Sequence, residues 1–173
     1  MHNTVLRAFV FLATPFNSPS LPVPPMSDGV TKVGEAQAFK SLSGLRQRFR
    51  LGLTDASHRA GQLLVRTTQQ GMQNAGGGRV YPGQKRQSSA PGGYPAIQSA
   101  QLYGSITYEA NANQLRFGST GAHNKGFDYA IAQQEGTSKM AARPYAHLAV
   151  RSTKGQIDNI MGAHTWRYII GGG

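Results

Sequence analysis

The chain has 173 residues, 39% of them hydrophobic, and no cysteine. That suffices for one domain with a core, and it excludes disulfides and thiolate metal sites. Eighteen Lys and Arg against seven Asp and Glu give a net charge of +11, which points to polyanionic partners, nucleic acid foremost.

The opening MHNTVLRAFVFLATPFNSPSLPVPPM pairs a short apolar run, Ala8 to Ala13, with a proline-rich tract, Pro19 to Pro25. The run is short for a signal peptide and far below the roughly 20 residues that span a bilayer. Residues 1–25 are expected to form an extended, polyproline-like arm or to precede a start at Met26, with a targeting signal as the lesser alternative. In an assembly, Val10, Phe11 and Leu12 of that arm would order against a neighbour. Residues 26–173 are expected to make a single domain.

From Glu35, apolar and small residues fall at Phe39, Leu42, Leu45, Phe49, Leu53, Ala56, Ala60, Leu63 and Thr67. This three-and-four spacing predicts a long amphipathic helix that stops before Gly76, Gly77 and Gly78. Gly44, Gly52 and Gly61 each cost about 1 kcal/mol relative to Ala, so one of them is expected to mark a bend. The opposite face carries Arg48, Asp55, Arg59, Gln62 and Arg66, with Arg46 and Arg50 close by. It is either a solvated face or a positive surface turned to DNA or an acidic partner. Residues 75–96 form a long Gly-, Pro- and Ser-rich loop in which Arg79, Lys85 and Arg86 either meet phosphate or belong to a soluble linker.

LYGSITYEA and NQLRFGS have strand composition and flank Asn111, Ala112 and Asn113. Ile106 and Tyr108 alternate with polar neighbours, as do Leu115 and Phe117, which predicts a half-buried hairpin. Gly118 to Gly126 reads as a second loop. FDYAIAQQE reads as a short helical turn closed by Gly136. Pro144 suits the first turn of a second helix, where its missing N–H has no partner. HTWRYII, with Trp166, Tyr168 and Ile170 alternating, reads as a final strand. The expected fold is α+β: a long N-terminal helix, a small antiparallel β-sheet, a second helix packed on it, long loops and the N-terminal arm.

Enzyme signals are thin. His2, His58, His123, His147 and His164 have no paired metal-ligand spacing, and the spacing of Glu109, Asp128 and Glu135 demands no carboxylate pair. GGGRVYPGQKR lacks the lysine–serine pair and the preceding strand of a phosphate-binding loop. Glu135 with Lys139 leaves phosphodiester cleavage as a formal alternative only. No catalytic residue, metal or cofactor is expected. The segment from Tyr129 to Tyr145 reads better as architecture. Glu135, beside Gly136 and Thr137, would accept N–H bonds of a tight turn or pair with Arg143 after the chain reverses, and Arg143 and Pro144 would set the next helix. Rigid turns of this kind make good subunit contacts.

YAIAQQEGTSKMAARPY is similar to the signature of the phage head-to-tail joining family, the neck or tail-completion proteins of lambda-like long-tailed phages. The matching positions are Tyr129, Ala130, Glu135, Gly136, Thr137, Lys139, Met140, Ala142, Arg143 and Pro144, with Tyr145 where the family usually has Phe. A second stretch, SSAPGGYPAIQSAQLYGSITY, resembles another family segment at Ala90, Pro91, Gly92, Pro95, Ala96, Leu102, Ser105 and Ile106. It departs at Gln98 to Gln101, where the family tends to have Thr-Gly-Arg. MSDGVTKVGEAQAFKSLSGL resembles a common family opening, so the resemblance runs from about Met26 to Met161.

The resemblance implies a structural virion protein between head and tail, assembled in the host cytoplasm. It would form a homo-oligomeric ring, a hexamer, around the DNA channel. Portal, adaptor or head-completion proteins would lie on one side and tail proteins on the other, with non-specific contact to genomic DNA and no membrane. It implies an interface motif at Tyr129, Glu135, Gly136, Thr137, Lys139, Arg143 and Pro144. The surface facing DNA or an acidic partner would comprise Arg46, Arg48, Arg50, Arg59, Arg66, Arg79, Lys85 and Arg86. The alternatives are a tail terminator capping the tail tube and, from a different class, a free basic nucleic-acid-binding protein.

Overall fold

The structure is a computed structural model that describes residues 9–11, 32–80, 82, 87–97, 100–121, 123–124 and 127–170. Its first long element, α1 (Lys32–Gln73), is one unbroken helix of 42 residues, about 63 Å at 1.5 Å per residue. Buried positions recur every fourth residue at Gly52, Ala56, Ala60, Leu64, Thr68 and Met72. Four residues exceed one 3.6-residue turn, so the buried stripe winds around the helix and meets different neighbours along its length.

Those neighbours explain the glycines. A Cβ at Gly52 would sit 3.1 Å from the Thr165 Cα, and one at Gly61 would run into the Tyr108 ring. Each lets another element come within touching distance of the α1 backbone.

The hairpin follows the alternation in the sequence. β2 (Ile106–Ala110) pairs antiparallel with β3 (Leu115–Ser119), Tyr108 opposite Phe117. Ile106 and Phe117 are buried and Glu109 is exposed, as period-two patterning requires. The turn is held by the Asn111 N–H donating to the Gln114 carbonyl at 2.8 Å and by the Asn113 N–H donating to the Asn111 side chain at 2.8 Å.

β1 (Phe9–Phe11) adds to the other edge of β3, giving the order β1-β3-β2. The partner of Val10 and Phe11 is thus a strand of the same chain, where a neighbouring subunit was expected. Leu12 and the proline tract 19–25 lie outside the described residues.

The second long helix, α4 (Tyr145–Ile169), runs antiparallel along α1. Its buried and half-buried positions, Ala146, Ala149, Thr153, Ile157, Met161, Thr165 and Tyr168, follow helical spacing to the end. The expected final strand at HTWRYII is therefore the last two turns of α4. Alternation at Trp166, Tyr168 and Ile170 imitates a strand, whereas the inward positions are 161, 165 and 168 and Trp166 and Ile170 point to solvent.

Three shorter elements complete the chain. Leu102 to Ser105, read as part of a strand, belong to α2 (Ala100–Ser105). Gly118 to Gly126, read as loop, contains β4 (His123–Asn124), which pairs with β5 (Phe127–Asp128). α3 (Tyr129–Glu135) ends at Gly136 as the sequence predicts.

The core joins Leu64 and Met72 of α1, Leu102 of α2, Ile106 and Phe117 of the hairpin, Ala130 of α3, and Tyr145, Ala146 and Ala149 of α4. The fold is α+β.

Candidate functional site

The segment from α3 to α4 is a chain reversal pinned at each step. Asp128 caps α3, its carboxylate accepting from the Ile131 N–H at 3.1 Å, which satisfies one of the free donors at a helix start. Gly136 closes α3 with φ +80°, and its N–H donates to the Ala132 carbonyl at 2.9 Å. A Cβ there would lie 2.8 Å from the Ala142 nitrogen and 2.9 Å from the Met140 carbonyl oxygen, so both the backbone angle and the space require glycine.

Beyond it, Thr137 and Met140 exchange backbone bonds at 2.7 and 3.2 Å, and the Arg143 N–H returns to the Gln133 carbonyl at 2.6 Å. Pro144 then stands at the N-cap of α4 without a capping side chain of its own. Gln134 supplies what Pro144 lacks: its Oε1 accepts from the Ala146 N–H at 3.1 Å. Gln133, also buried, donates to the Tyr129 hydroxyl at 2.6 Å.

Glu135 does not do what its position suggested. It is exposed, and the described residues hold no Glu135–Arg143 pair. Arg143 instead donates through Nη2 to the Ser89 carbonyl at 3.1 Å and through Nη1 to the Ala141 carbonyl at 3.3 Å. The Gly92 N–H adds a bond to the Ala142 carbonyl at 2.9 Å. The chain reversal is therefore fastened to the 87–97 segment, 54 residues away in sequence between Ser89 and Arg143. Lys139 and Thr137 are exposed on the turn, and Tyr129 is half-buried.

The expected long loop is not a free excursion. Its two limbs pair: Gly78 N–H donates to the Ser88 carbonyl at 2.9 Å, Ser88 N–H to the Arg79 carbonyl at 3.0 Å, and Ala90 N–H to the Gly76 carbonyl at 3.2 Å. Arg79 is exposed on this stem. Lys85 and Arg86 lie outside the described residues.

The α1 arginines divide into two groups. Arg48, Arg59 and Arg66 lie along one exposed side of the helix, within about 20° of each other at 100° per residue. Arg59 is partly answered, its Nε donating to Asp55 Oδ2 at 3.1 Å. The same oxygen is 3.0 Å from His164 Nδ1 on α4, a link between the two long helices that nothing local in the sequence signals. Arg46 and Arg50 look the other way, into an open groove between α1 and the Asn111–Ala112 turn of the hairpin.

Among the described residues, no group of three His, Asp or Glu is placed to hold a metal ion, and no helix is long and apolar enough to cross a membrane. The junction also buries Gln133 Oε1, Gln134 Nε2 and Arg143 Nε without a protein partner. Comparison with known protein families, with curated proteins and with solved structures finds no match to this chain.

Proposed function

We propose that the chain is a structural protein of the phage neck, joining the DNA-filled head to the tail as a homo-oligomeric ring around the DNA channel. The role is architectural, with no catalytic step. One observation carries the reading. The two stretches that resemble the head-to-tail joining family, 88–108 and 129–145, are bonded to each other through Arg143 to Ser89 and Gly92 to Ala142. Residues behind the resemblance, Ser89, Gly92, Ala142 and Arg143, thus meet in one bonded unit, as a contact surface repeated around a ring requires.

In this reading the exposed turn at Thr137 and Lys139 meets a neighbouring subunit or the next ring. Arg48, Arg59, Arg66 and Arg79 face the channel, where phosphate contacts must be non-specific because the genome has to move past them. The test is the composition of purified virions. A neck protein is present at a few copies per particle. A free nucleic-acid binder, the reading that the Arg48–Arg66 side would otherwise favour, is absent from them.

A further inference from the structure

We propose that the exposed stretch of α1 from Gln37 to Leu51 is the docking site for an acidic, amphipathic helix of a partner protein. From Gln37 to Leu51 every residue except Gly44 is exposed, including Phe39 at 71%, Leu42 at 61%, Leu45 at 45% and Phe49 at 43%. These four lie on one side of the helix. It is the same side as Ala56 and Ala60, which are fully buried further along.

The stripe is the continuation of a filled seam. α4 covers α1 as far as Gly52, where Thr165 and Tyr168 touch it, and then ends, leaving Trp166 and Ile170 exposed beside the gap. A helix laid end-on to α4 would bury Phe39, Leu42, Leu45 and Phe49 by the packing already in use along the seam. Leu42, Leu45 and Phe49 have the i, i+3, i+7 spacing by which helices are read in grooves.

Charge selects the occupant. Arg46 and Arg50 border the stripe, and no acidic residue stands between Gln37 and Thr54. A second copy laid on this face would set two cationic helices against each other, whereas an acidic helix would be steered to it. Duplex DNA would satisfy the cations but has no use for four apolar side chains. This inference goes beyond the neck reading and survives if that reading falls.

The test is fluorescence anisotropy of the full chain with a labelled Leu/Glu amphipathic helical peptide and its Leu/Lys counterpart. The Glu peptide is expected to bind saturably and the Lys peptide not. The Leu42→Ser/Phe49→Ser variant should weaken binding by at least about tenfold. Arg46→Gln/Arg50→Gln should weaken it and flatten its salt dependence. All four positions are exposed, so circular dichroism of both variants should match the parent. Absence of saturable binding, or binding unchanged in Leu42→Ser/Phe49→Ser, overturns the proposal. So does a dimer in light scattering that this variant dissolves, which would make the occupant a second copy. Sedimentation with phosphatidylglycerol vesicles that the variant abolishes would make it a membrane and overturn the proposal equally.

Discussion

The Arg143 guanidinium donates to the Ser89 carbonyl at 3.1 Å and thereby ties the α3–α4 reversal to a loop far away in sequence. A hydrogen bond from a charged donor contributes about 1.5–3 kcal/mol. Arg143→Ala should lower the unfolding free energy by about that amount in urea titration. Arg143→Lys should recover little, because an ammonium cannot reproduce the guanidinium fork. Hydrogen exchange should localise the loss to amides of residues 88–92. In a phage carrying Arg143→Ala, particle completion should fail, and a normal yield would remove the motif from the interface.

Two glycines give opposite predictions for the same substitution. Gly136→Ala places a side chain at φ +80° and against the 140–142 backbone, so a loss of roughly 1–3 kcal/mol is expected. Gly155 lies within α4 with nothing within 4 Å of a Cβ, so Gly155→Ala should gain about 0.5–1 kcal/mol. Thermal melts of the two variants measured side by side check the pair. Equal effects would mean that the Gly136 turn is not held as described.

These contrasts also mark what was legible in the sequence. Periodicity gave α1, the β2–β3 hairpin and α3 with its glycine stop, because each depends on spacing within a few residues. The end of α4 was misread because Trp166, Tyr168 and Ile170 alternate, and only the position of α1 decides that 165 and 168 face inward. The Ser89–Arg143 and Asp55–His164 contacts were invisible because their partners meet only after folding. Gln133 and Gln134 are polar, yet both are buried as the joint between α3 and α4. A pair of glutamines before a glycine and an X-Pro helix start is the sole local hint of that joint.

Tyr145 opens α4 inside the core. Burial, and then the negative charge of Asp128, push its hydroxyl up from 10.0 to about 12. The unfolded chain therefore loses this proton at lower pH than the native one. The resulting stabilisation is complete below about pH 10 and is lost as pH rises toward 12. The wild type should lose roughly 2–3 kcal/mol more than Tyr145→Phe across that window, read from urea titrations of both proteins.

The exposed Arg48, Arg59 and Arg66 line predicts a salt slope. If this side faces the genome, changing all three to Gln should reduce the slope of log K against log salt for duplex DNA by about two to three. The affinity should fall equally for all sequences. Unchanged DNA binding would move the channel-facing surface elsewhere on the molecule.

The most direct test of the neck reading is electron microscopy of a lysate from phage with a stop codon early in this gene. The reading predicts filled heads beside separate, finished tails. Intact, joined virions would contradict it and move the weight to a free nucleic-acid-binding protein.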